Sequence, residues 1–131
     1  MPLVRIELQR GKSAEYRRAI ADGVYEAMRE TINVPDKDRF EIISEHEPGN
    51  LIYDRTYLGI ERSEDFVVVQ IALRRGRSTE AKQALYRRIA ERLRGSPGIR
   101  AQDLFITLVE NGLEDWSFGN GEAQYVKAPP Q

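Results

Sequence analysis

Laid over itself with an offset of 65 residues, this 131-residue chain matches its own second half without a gap. Arg10-Gly11-Lys12-Ser13-Ala14-Glu15 falls on Arg75-Gly76-Arg77-Ser78-Thr79-Glu80. In the same register Ala19 meets Ala84, Ile20 meets Leu85, Val24 meets Ile89 and Met28 meets Leu93. Further on, Asp38 meets Asp103, Phe40 meets Phe105, Ile43 meets Leu108 and Glu45 meets Glu110. A match that runs through apolar stripes and polar turns alike marks an internal duplication, so both halves must fold the same way. The repeated units are residues 2–46 and 67–111, joined by a connector over 47–66 and followed by residues 112–131, all within a single domain.

Each unit reads as strand, helix, strand. Leu3 to Leu8 and Phe66 to Leu73 are rich in β-branched and apolar residues. A glycine follows each (Gly11, Gly76), then a serine suited to cap a helix (Ser13, Ser78) and an acidic residue for its first turn (Glu15, Glu80). Tyr16, Ile20, Val24, Ala27 and Met28, like Ala81, Leu85, Ile89 and Leu93, form helical stripes that face a sheet. Second strands are expected over about Arg39 to Glu45 and Leu104 to Glu110, with a turn at Glu47-Pro48-Gly49-Asn50 and a short extended piece within Leu51 to Ile60. A helix between two strands implies a parallel pair with a right-handed crossover. Two such units predict an α/β (α+β) fold: a four-stranded sheet with both helices on one face. The other face then needs cover, and a second copy of the chain is the economical source.

Composition narrows the function classes. A formal net charge of −1 offers no field for nucleic acid or an anionic membrane, and no apolar run reaches the length of a membrane span. The Arg17-Arg18 and Arg87-Arg88 pairs alternate with acidic residues and read as solvated helix faces. Zero cysteines exclude thiol catalysis and thiolate metal sites. His46, between Glu45 and Glu47, has no second histidine to complete a ligand set, and strand neighbours point to opposite faces, so no metal is expected. Arg5, Glu7 and Arg10 break up any leader-like start, and the chain is expected to be cytoplasmic.

The start Met1-Pro2 has chemical content. Methionine is commonly trimmed before a small residue, and trimming would give Pro2 a free secondary amine. Such groups titrate near 8, and a buried, cationic setting lowers that value. The amine could then act as a proton donor, a proton acceptor or an iminium-forming nucleophile. The duplication sets Pro2 apart, because its counterpart Val67 can only be a sheet residue.

A duplicated strand-helix-strand unit led by Met-Pro resembles the tautomerase superfamily. Glu110-Asn111-Gly112-Leu113-Glu114-Asp115-Trp116-Ser117-Phe118-Gly119, Gly59-Ile60-Glu61-Arg62-Ser63 and Val34-Pro35-Asp36-Lys37-Asp38-Arg39-Phe40 are similar to segments of its malonate semialdehyde decarboxylases. The resemblance implies a homotrimer with a strand end and hairpin after residue 110, no cofactor, and a small carboxylate substrate. It places the amino-terminal proline at Pro2, the arginine pair at Arg75 and Arg77, the active-site aspartate at Asp38, and an aromatic wall at Trp116, Phe118 and Tyr125. Tyr125 departs from the family's phenylalanine by a hydroxyl. The histidine that chloroacrylate dehalogenases of the family need in the first helix is missing here, so that activity loses support.

On the residues alone each of these positions has a plainer reading. Arg10 and Lys12 at the equivalent turn show that basic residues there need not bind substrate, and Asp103 shows that Asp38 could be a strand-entry residue. Trp116, Phe118 and Tyr125 could be core or interface packing. The expected function is decarboxylation of a 3-oxo acid such as malonate semialdehyde. The alternatives are a tautomerase or hydratase acting on a 2-oxo acid or its enol, and a non-catalytic binding protein on the same scaffold.

Overall fold

The computed structural model describes residues 1–126. The chain forms β1 (Leu3–Gln9), α1 (Ala14–Ile32), β2 (Phe40–His46), β3 (Val67–Arg74), α2 (Thr79–Gly95) and β4 (Leu104–Asn111). The strands make one sheet in the order β2-β1-β3-β4. Each unit contributes a parallel pair, and the units meet through an antiparallel β1–β3 pairing at the centre. The tandem arrangement expected from the duplication is the one the chain adopts.

Local chemistry repeats with the sequence. The Tyr16 amide donates to Ser13 Oγ at 3.0 Å and the Ala81 amide to Ser78 Oγ at 3.1 Å, so both helices start at a serine cap. α1 ends where Asn33 turns left-handed (φ 56°), and Pro35 follows two residues on. Alternation then sorts the strands into two faces. Val4, Ile6 and Leu8 of β1 and Val67, Val69, Ile71 and Leu73 of β3 are buried under Ile20, Val24 and Met28 of α1 and Leu85, Ile89 and Leu93 of α2. Each such side chain contributes about 1.5–3 kcal/mol through burial. Gly23 lets the helices close together, because a Cβ there would lie 2.7 Å from Leu93 Cδ2. Glu30 reaches across from α1 to Arg88 and Arg92 of α2.

Among the described residues no helix lies over the opposite sheet face. Phe40 (49% exposed), Ile42 (39%), Phe105 (47%) and Val109 (47%) lie there beside polar residues. His46 belongs to this face, with Nε2 2.7 Å from Glu7 Oε2.

Two expectations differ. The connector forms helical turns at Pro48–Asn50 and Tyr57–Gly59 and no extended piece. It is anchored instead by Tyr53, whose ring stacks on Phe66 with centroids 4.1 Å apart. After β4 there is a helical turn at Leu113–Asp115 and neither a strand nor a hairpin among the described residues, and the last part of the expected hairpin and tail, 127–131, lies outside them. The Gly112 amide donates to Asp115 Oδ2 at 2.8 Å, which closes this turn. Among the described residues no helix is long and apolar enough to cross a membrane.

Candidate active site

The sheet topology assembles the site. Leu3 pairs with Phe40 on one side and Ala72 on the other, and carrying both registers back along the chain sets Met1 between Asp38 and Arg74. Arg74 in turn pairs with Asn111. One row across the sheet end therefore runs Asp38, Met1, Arg74, Asn111. A cleft of about 680 Å³ opens over this row.

The polar wall is cationic. Arg74, Arg75 and Arg77 all line the cleft, and among the described residues none has a carboxylate within salt-bridge distance. Gly76 makes this possible: at φ 122° it turns the chain sharply between Arg75 and Arg77. The Arg75 amide donates to the Asn111 carbonyl at 2.9 Å, and Arg77 Nη1 donates to the Arg74 carbonyl at 3.0 Å. Glu110, whose field reaches Arg77, is held by Lys82 at 2.8 Å. Burial and the neighbouring Arg74 charge push the Arg77 guanidinium pKa down.

The equivalent turn of the first unit is neutralised. Lys12 Nζ lies 2.6 Å from Asp65 and Arg10 Nη1 lies 2.9 Å from Glu47. The duplicated basic turn thus has two fates, a paired one and an unpaired one. Only the unpaired one faces a cleft that also holds a chain end.

Met1 supplies that end. Its ammonium contacts Asp38 Oδ2, and burial together with the Arg77 and Arg74 charges lowers its pKa to about 6. The Asp38 carboxylate works in the opposite direction, favouring the protonated form. Pro2 is buried directly behind Met1 and its nitrogen is part of the Met1–Pro2 peptide. Removal of Met1 would transfer the amine to Pro2, next to the same groups.

Asp38 and its counterpart Asp103 do related work. Asp103 is fully buried and accepts from the Ser63 amide (2.6 Å), Ser63 Oγ (2.7 Å) and Arg100 Nε (3.1 Å). Each aspartate thus receives the chain segment that enters the first strand of its unit. In the second unit that segment is the connector; in the first it is the amine.

Of the aromatic wall, Tyr125 lines the cleft, while Trp116 and Phe118 are not part of its lining. Trp116 and Phe118 stack behind it (5.5 Å, 4°), and Phe118 meets the Tyr125 ring edge-on at 4.9 Å. The apolar lining comes instead from Ile32, Val34 and Pro35 after α1 and Leu113 after β4. Sequence reading did not single out these four, nor Arg74 and Asn111. The β1–β3 register points to Arg74, but the register is visible only once the strand order is known. Among the described residues no group of three or more His, Asp or Glu side chains is placed to hold a metal ion.

Two family profiles described as tautomerase enzyme match the chain, over residues 38–119 and residues 2–59. Probable tautomerase YusQ of Bacillus subtilis (strain 168) is 41% identical over 127 residues, 97% of this chain and 100% of that protein. Probable tautomerase YrdN of the same organism is 38% identical over 96% of this chain and 97% of that protein. Among solved structures, FG41 malonate semialdehyde decarboxylase inhibited by 3-bromopropiolate superposes with a TM-score of 0.88 at 41% identity, covering 94% of this chain and 93% of that chain.

Proposed function

This chain belongs to the tautomerase superfamily, and from that premise we propose that it is a cofactor-independent decarboxylase of a small 3-oxo acid such as malonate semialdehyde. The observation that carries the reading is the group of unpaired arginines around a buried terminal amine whose pKa is lowered to about 6. The same burial and arginine charges would lower an amine transferred to Pro2, which favours its neutral, nucleophilic form.

In this mechanism Arg75 and Arg77 hold the substrate carboxylate by charge-assisted hydrogen bonds. The Pro2 amine, freed by loss of Met1, adds to the aldehyde carbon, and loss of water gives an iminium. The bond to the carboxylate carbon then breaks, its electron pair moves into the iminium, and carbon dioxide leaves. The resulting enamine takes a proton at carbon, and water releases acetaldehyde and the amine. Asp38, which here contacts the terminal amine of Met1, is the carboxylate placed to accept the proton lost when the carbinolamine forms. Ile32, Val34, Pro35 and Leu113 make that side of the cleft apolar, which weakens carboxylate hydration as the bond breaks.

The exposed apolar residues of the open sheet face support a homo-oligomer, with the family's trimer as the expected form.

The test is turnover of malonate semialdehyde by protein of verified intact mass, with acetaldehyde followed by a coupled reductase and borohydride used to trap the adduct. Acetaldehyde formation with a trapped adduct on Pro2 is the expected result. Retention of Met1 in active protein, or activity with no adduct, overturns the iminium route. A second reading is favoured by the 41% identical relative named a probable tautomerase: enol–keto conversion of a 2-oxo acid, with the same amine as base. Turnover of phenylenolpyruvate without decarboxylation of malonate semialdehyde would select it.

A further inference from the structure

We propose that Asn111 contacts the substrate, its side-chain amide donating to the oxygen of the oxo acid that gains charge, and that Trp116 is the positioning residue that aims this amide. The inference rests on the decarboxylase or tautomerase reading only for which oxygen is bound.

Asn111 ends β4 beside Arg74, and its backbone carbonyl receives the Arg75 amide at 2.9 Å, so it is fixed to the same corner as the arginine turn. It lines the cleft. Trp116 Nε1 lies 2.8 Å from Asn111 Oδ1. An indole N–H can only donate, so the amide atom facing it must be the oxygen, whichever way the amide is drawn. The amide nitrogen therefore occupies the other branch. It has no protein partner among the described residues. The nitrogen is not among the buried atoms, so this free donor is open to solvent on a residue that lines the cleft.

Trp116 is itself held. Its ring stacks on Phe118 at 5.5 Å, and the turn leading to it is closed by Asp115 on the Gly112 amide. The side chain that sequence reading placed in the substrate wall is thus one layer back, with its polar atom spent on orienting Asn111. Arginines recognise the carboxylate, and a neutral amide donor suits the carbonyl oxygen, which gains negative charge as the amine adds to the aldehyde, before it leaves as water, and in the enolate of the tautomerase reading. Such a donor acts on the transition state more than on the ground state.

The experiment compares Asn111→Ala, Trp116→Phe and the double variant, each checked for an unchanged melting temperature. Asn111→Ala is expected to lower kcat/KM by about 100-fold, mainly in kcat. Trp116→Phe keeps the stacked ring, removes the donor and is expected to cost about 10-fold. The double variant should be no slower than Asn111→Ala, because Trp116 acts through the amide. Unchanged kcat in Asn111→Ala, or additive losses in the double variant, overturns the proposal. A second readout needs no turnover: the side-chain amide resonances of Asn111, assigned by their loss in Asn111→Ala, should shift as malonate is titrated into labelled wild-type protein. Unmoved resonances in saturating malonate, or no malonate binding, overturn it too. If wild type turns over neither malonate semialdehyde nor phenylenolpyruvate, the functional reading fails while the malonate titration still decides this one.

Discussion

Replacing Asp103 by Asn should weaken the fold, whereas the same change at Asp38 should leave the fold intact and weaken turnover. Asp103 has no solvent exposure and receives hydrogen bonds from the Ser63 amide, Ser63 Oγ and Arg100 Nε, so it ties the connector and the β4 entry together. An asparagine keeps one acceptor oxygen for the Ser63 amide. Its NH₂ group then faces the Arg100 donor, and the charge that strengthened the remaining bonds is gone. Losing one charge-assisted bond and leaving a donor opposed to a donor costs about 3 kcal/mol. Arg100 is more than half exposed, so solvent screens its share, and most of the loss falls on Ser63 Oγ, whose hydroxyl donates to the same Asp103 oxygen that the NH₂ replaces. For a domain of this size about 3 kcal/mol corresponds to a melting temperature lower by about 10 °C. Among the described residues the Asp38 carboxylate contacts only the Met1 amine, which is largely neutral at the pH 7 of the melt, so its replacement should move the midpoint by less than about 3 °C. Calorimetric or circular-dichroism melts at pH 7 read both values. The pH dependence adds a second arm. Burial favours the neutral acid at Asp103, but the hydrogen bonds from Arg100 and Ser63 outweigh it and hold the pKa below the ordinary aspartate value. A carboxyl with a depressed folded pKa contributes stability above its unfolded value, near 4, and loses it as pH falls through the folded one. Asp103→Asn should therefore flatten the acid limb of stability. Equal melting shifts for the two variants, or an unchanged acid limb, would refute the division of labour between the duplicated aspartates.

Because burial, Arg77 and Arg74 lower the Met1 amine and would act in the same direction on the freed Pro2 amine, kcat/KM should rise with pH along a limb below the ordinary amine value near 8, and Arg74→Ala should move its midpoint upward; a rate that falls along that limb would assign the protonated amine as the working form. Arg77→Gln should lower kcat/KM by about 100-fold or more while moving the melting temperature by less than about 3 °C, since Arg77 has no carboxylate partner among the described residues and is disfavoured by Arg74. Placing lysines at Ile42 and Phe105, which are 39% and 47% exposed on the open sheet face, should shift sedimentation from an oligomer to monomer; an unchanged sedimentation coefficient would remove that face from the interface.

The duplication made most of the fold legible, because a gapless repeat carries its element boundaries twice. Ser13 and Ser78 cap the helices as read, and each strand lies within about a residue of its expected span. Asp38, Arg75 and Arg77 were legible as site candidates through their motif context, and the structure sets all three on the cleft. Arg74 and Asn111 were not. They reach the cleft through the β1–β3 and β3–β4 registers, and cross-strand register between units leaves no local trace in sequence. Trp116 was placed in the right region with the wrong neighbour: an aromatic residue announces packing, but which atom its indole N–H meets depends on how the turn at Gly112 closes.

The two units also show why a duplicated scaffold of this kind need carry only one site. Both present a glycine turn with basic residues at the end of their first strand, and both present an aspartate at the entry to their second. In the second unit the connector delivers Ser63 to the aspartate, and its Asp65 pairs with Lys12 of the opposing turn. Arg10, Lys12 and Asp103 all meet partners there, so little field is left for a ligand. At the other end Asp38 receives an amine, which brings a positive charge to a corner where Arg74, Arg75 and Arg77 are already unpaired. That corner holds an excess of positive charge in a partly apolar cleft, an arrangement that disfavours the protonated amine and favours an incoming anion. The same repulsion that lowers the amine pKa is therefore relieved when a carboxylate binds, which couples substrate capture to the protonation state of the nucleophile. Carboxylate binding should raise the amine pKa back toward 8, and a titration of the terminal amine with and without malonate would register that shift; a pKa unmoved by saturating malonate would break the coupling.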